Sequence, residues 1–84
     1  MNEASTEAYA PLLEALRARM EAVADREHFT RDAAGHLERL RQTTEAVKAL
    51  ADALPPQTDP MLRHYLERTS YAKAIDWLEA AVGR

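Results

Sequence analysis

The chain contains no cysteine. Disulfides, thiolate nucleophiles and cysteine-ligated zinc are removed together, and a reducing compartment is the natural setting. Glycine occurs only at Gly35 and Gly83, too few and too far apart for a phosphate-cradling loop. Valine and isoleucine together number four, which leaves little to build a sheet from. No apolar run approaches the roughly 18 residues that a membrane span requires. The opening MNEASTE has neither a basic region nor an apolar segment, so a signal peptide is not expected and the chain is assigned to the cytoplasm.

What is present is helical. Alanine, leucine, glutamate and arginine dominate the 84 residues. Apolar residues make up 46%, but 17 are alanine, so the larger side chains suffice for one modest core and a single domain over 1–84. The net charge is −3, carried by residues 1–30, while 31–54 and 55–84 are each neutral. No basic face emerges, which argues against nucleic acid as a partner.

Helix periodicity divides the chain into four segments. Residues 1–8 are polar and expected to fray, with Ser5 able to cap an extra turn before Pro11. A first helix over 11–27 carries Tyr9, Leu13, Leu16, Met20 and Val23 on one stripe, with Leu12 beside it. Glu27 extends that stripe as the one carboxylate open to partial burial, with a frayed helix end the preferred reading. A second helix over 31–54 repeats Ala33, Leu37, Leu40, Thr44, Val47, Ala51 and Leu54 in steps of four and three. Thr30 is expected to cap it and Phe29 to staple over Ala34. Only about three residues then separate the two helices, so an antiparallel hairpin follows.

Pro55 and Pro56 end the second helix, and Asp59 with Pro60 opens a third over 60–68. On a 100° wheel started at Met61, the apolar residues Met61, Leu62, Tyr65 and Leu66 fall between about 0° and 140°. Tyr71, Ile75, Leu78 and Val82 fall between about 260° and 320° on the same wheel. That jump predicts a break at Ser70 and a fourth helix over 71–82, one continuous helix being the alternative. The expected fold is all-α: a helical hairpin with two short C-terminal helices. Its narrow seams and small core favour a homodimer, two hairpins pairing by a two-fold axis into a four-helix bundle.

Chemistry is sparse. Asp25 with His28, and Asp32 with His36, have helical spacing that two metal ligands could use, but such pairs arise readily in a charged helical chain. No metal, cofactor or catalytic residue is assigned. Ser70 has no base at a helical neighbour position, and the carboxylates lie mostly on polar faces. The segment 63–77 concentrates aromatic and basic side chains, and Arg63, Tyr65, Arg68, Tyr71, Lys73 and Trp77 form the candidate interaction surface. Trp77 either projects as an anchor or covers the end of the hairpin. The sequence therefore reads as a non-catalytic, self-associating interaction module, with an unidentified protein partner also open. A degenerate helix-turn-helix over 60–68 and 71–82 is the alternative, weakened because its second helix offers only Lys73 and the terminal Arg84 to phosphate.

Overall fold

A computed structural model describes residues 3–83, and their side chains from Glu7 onward. Five helices follow one another, with no strand among the described residues: α1 (Glu3–Ala24), α2 (Arg26–Arg31), α3 (Ala33–Asp52), α4 (Pro60–Glu67) and α5 (Tyr71–Val82). α1 and α3 form the long antiparallel pair. His36 near the start of α3 meets the carbonyl of Ala22 near the end of α1, while Tyr9 and Leu12 share a core cluster with Val47 and Leu54. α4 and α5 lie over one half of this pair, in a molecule 47 × 22 × 20 Å.

Several expectations need correction at the hairpin turn. Helix one does not reach residue 27. It ends at Ala24, and a separate six-residue helix, α2, occupies what was read as a short link. The cause is a pair of aspartates used as caps. Asp25 Oδ1 accepts from the His28 amide at 3.0 Å, and Asp32 Oδ1 accepts from the Gly35 amide at 3.0 Å. Each satisfies an amide that the first helical turn leaves without a partner. Asp32, not Thr30, therefore caps α3, and Thr30 lies inside α2. Phe29 packs edge-on to His36 at 5.7 Å rather than over Ala34, which is exposed. Glu27 is exposed, within α2 rather than at a frayed helix end.

At the other end of α1, residues 3–8 are helical rather than frayed, and residues 1 and 2 lie outside the described residues. Pro11 sits inside α1. Having no amide hydrogen, it leaves the Glu7 carbonyl without its usual i+4 donor. Tyr9, Leu12 and Leu13, all buried, flank it and hold the turn against the core.

The C-terminal half follows the sequence closely. Asp59 Oδ1 caps α4 through the Met61 amide at 2.8 Å, with Pro60 in the first turn. The break falls at residues 68–70, and α5 begins at Tyr71. The corner is a helix C-cap in which the Ser70 amide donates to the Tyr65 carbonyl at 2.8 Å and the Thr69 amide to the Leu66 carbonyl at 3.1 Å. That pair of bonds requires a left-handed residue at Thr69, whose φ is 53°. A threonine in this conformation is strained, because its branched Cβ crowds the backbone where glycine would not. The turn lets Leu62 on α4 and Leu78 on α5, from faces far apart on one wheel, join the same core.

Candidate functional site

Three regions carry side chains worth weighing. The first is a polar knot at the α2 end, which the sequence did not reveal because its members come from three helices. Ala22 offers its carbonyl to His36 Nε2, which must donate, at 2.7 Å. Arg39 Nη1 donates to Asp25 Oδ2 at 2.7 Å and lies 3.3 Å from His28 Nδ1. The rings of His28 and His36 meet edge-to-face at 5.3 Å. The Arg39 guanidinium, and then the His28 amide, hold the Asp25 carboxyl below its ordinary range. The two Asp–His spacings thus serve as caps, and no group of three or more metal-ligating side chains forms among the described residues. Thr43, one turn beyond Arg39, gives its hydroxyl to the Arg39 and Leu40 carbonyls.

The second region holds the residues singled out from segment 63–77. Their side chains diverge. Arg63 Nη2 donates to the carbonyls of Pro55 at 2.6 Å and Leu54 at 3.3 Å, closing the end of α3 onto the loop at residues 55–59. Tyr65 and Tyr71 are half-buried against the core. Trp77 packs edge-on to Tyr9 at 5.5 Å and covers the end of the hairpin. Arg68 and Lys73 stay exposed. On α5, Lys73 shares the outer surface with Asp76 and Glu79, and Glu79 accepts from Arg17 at 2.7 Å.

The third region is an apolar surface on the uncovered half of the hairpin. The stripes of the sequence are real, but α4 and α5 cover only half of each. On α1, Tyr9, Leu13 and Leu16 are buried, whereas Met20 is 40% and Val23 55% exposed. These two border a hollow at the start of α5, lined also by Arg19, Tyr71 and Lys73. Arg19 Nε and Nη1 are buried there without an acceptor among the described residues. On α3, Val47 and Leu54 are buried, Leu40 and Thr44 are half-buried, and Leu37 is 68% exposed. The residues of α3 turned toward α1 are instead His36, Thr43, Val47 and Leu50, a stripe rotated toward smaller and more polar side chains. Buried Ala22 on α1 permits that close approach. α4 meets α3 around a hollow of about 200 Å³ at Lys48, Ala51 and Leu54. From Lys48 back toward Leu37 the same face is open, lined by Leu40, Arg41, Thr44 and Glu45.

Along that open face Arg41 donates to both Glu38 and Glu45, a chain of exposed ion pairs. Its hydrogen bonds and charge hold the Glu38 carboxyl below the ordinary range. No helix among the described residues is long and apolar enough to cross a membrane. Compared with family models, curated proteins and solved structures, the chain finds no match.

Proposed function

We propose that this chain is a non-catalytic helical module whose role is to associate, first of all with itself. The observation that carries the reading is the uncovered half of the hairpin. Met20 and Val23 on the α1 stripe stand exposed beside the start of α5, and Leu37 on the α3 stripe and Phe29 on α2 are exposed as well. Exposed apolar side chains gathered on one half of a molecule, among charged neighbours, support an interaction role.

The non-catalytic part rests on charge state and geometry. Asp25 and Glu38 are both shifted toward the ionised form by arginine partners, which is opposite to what a general acid needs at neutral pH. The helix-turn-helix alternative gains nothing from the corner at Thr69, since the outer surface of α5 sets Asp76 and Glu79 beside Lys73 where phosphate would lie. Placement in the cytoplasm draws its support from the cysteine-free composition.

Sedimentation equilibrium tests the reading. A particle of twice 9.4 kDa at micromolar concentration is expected, and one of 9.4 kDa at every micromolar concentration would overturn it.

A further inference from the structure

We infer that the hollow between α1 and the start of α5 binds the phosphate group of a small organic monoester, held by Arg19 and the first turn of α5, with its apolar body on Met20 and Val23. The inference is separate from self-association: a chain that binds phosphate as a monomer keeps the one and loses the other.

Arg19 carries the argument. Its Nε and Nη1 are buried without an acceptor among the described residues, and the two nitrogens hold three N–H groups between them. A cation withdrawn from water with its donors unanswered is costly, and buried donors are nearly always met by an acceptor. Other arginines of the chain are answered: Arg17 by Glu79, Arg39 by Asp25 and Arg63 by the carbonyls after α3. An anion in the hollow answers Arg19 in the same way.

The groups across the hollow are donors too. Ser70 stands at the N-cap of α5, but its hydroxyl makes no cap bond, and the first turn contains no acidic residue. The Ala74 amide donates to the Ser70 carbonyl at 3.0 Å, which leaves the amides of Tyr71, Ala72 and Lys73 without an acceptor in their own helix. They point out of the positive end of a 12-residue helix, and the Lys73 side chain stands at the same rim. In a chain of net charge −3, no carboxylate lines this hollow among the described residues, whereas the adjoining hollow past Met20 contains Glu21 and Asp76. Donors this numerous suit the three terminal oxygens of a phosphate monoester better than the two of a carboxylate.

The remaining wall is apolar. The hollow measures about 400 Å³, within the range of small-ligand sites, and Met20 and Val23 stand exposed along it. Free phosphate would leave that wall wet, and an organic body attached to the phosphate would cover it.

Titration with inorganic phosphate and with phenyl phosphate at fixed ionic strength, followed by nuclear magnetic resonance of backbone amides and arginine Nε–H groups, tests the site. The Arg19 Nε–H and the amides of Ala72 and Lys73 should shift together along one saturable curve for each probe, with phenyl phosphate binding about tenfold tighter. Arg19→Gln should weaken both probes about tenfold or more without lowering the urea midpoint, since a cation lacking a partner does not hold the fold together. Lys73→Gln, at an exposed position, should keep the fold and weaken both about threefold. Lys48→Gln, the same loss of charge on α3, should change neither. Probes that shift none of these signals, or that bind Arg19→Gln as they bind the wild type, would overturn the site. Equal weakening by Lys48→Gln would reduce it to the charge of the whole chain and overturn it as well. Equal affinity for the two probes would overturn the organic body.

Discussion

The two halves of the hairpin have the same helices and opposite construction. In the half bearing the chain termini, α1 and α3 are covered by α4 and α5, and Leu12, Leu16, Leu62 and Leu78 are sealed from solvent. In the half bearing α2, neither α4 nor α5 covers the pair among the described residues, and a knot of hydrogen bonds among Ala22, Asp25, His36 and Arg39 ties it together. Apolar burial is non-directional and scales with area, whereas hydrogen bonds are local and contribute about 1 kcal/mol each. The covered half should therefore set global stability, and the other half should set how the turn is oriented and what it presents outward.

Truncation of a leucine breaks this comparison most directly. Leu16→Ala is expected to cost about 3–5 kcal/mol in urea unfolding, and Leu37→Ala, measured below the association range, less than about 0.5 kcal/mol. Equal losses would erase the distinction between the halves. Leu40→Ala, at a half-buried position, should fall between them at about 1–2 kcal/mol.

The knot supplies the next effect in size. His36→Ala removes the donor to the buried Ala22 carbonyl and the ring against which His28 and Phe29 pack. A loss of about 2 kcal/mol is expected. Hydrogen exchange should quicken in α2 and the first turns of α3 while α5 amides keep their protection. Uniform acceleration would mean that the two halves open as one unit.

A gain is expected at the corner of the covered half. Thr69→Gly relieves the left-handed backbone, and although glycine loosens the unfolded chain, a net stabilisation of about 0.5–1 kcal/mol should appear in the same urea assay.

The smallest effect belongs to pH. Asp25 has a folded-state value below the ordinary one near 3.9, so its contribution is present above that pH and is lost as pH falls through the lowered value. Acidification from pH 5 toward 2 should loosen the α2 end first, visible as a shift of the His36 ring signals in nuclear magnetic resonance. Asp25→Asn, which keeps a capping oxygen, should remove that dependence.

The sequence made the covered half legible for definite reasons. Pro55, Pro56, the Asp59–Pro60 pair and Ser70 are strong punctuation, and the wheel offset between Leu66 and Ile75 demanded a bend. The α2 end resisted reading because its helix boundaries are single aspartates with no glycine or proline to mark them. Asp25 and His28 at capping distance look the same as two ligands one turn apart. Periodicity also located the stripe through Leu37 and Leu40 without showing that no other helix lies over it. What packs between the long helices at that end is Ala22 and His36, neither of which hydropathy marks as core.

The dispersal of residues 63–77 has a similar cause. Aromatic and basic residues adjacent in sequence are assigned to different tasks once the chain turns at Thr69. Arg63 ends as a clamp on the carbonyls after α3, and Trp77 as a lid on Tyr9.

Between Ala24 and Ala33 the backbone leaves helix at two positions only, Asp25 and Asp32, each one residue long. The turn consequently has no slack. One residue removed there would rotate α3 by about 100° about its own axis and bring Leu37 to where His36 meets Ala22, and one residue added would turn it the other way and bring Gly35 there. Length variation in this chain belongs in the seven residues between α3 and α4, at 53–59, while the aspartate pair works as a fixed gear that sets which side of α3 meets α1 and which faces outward.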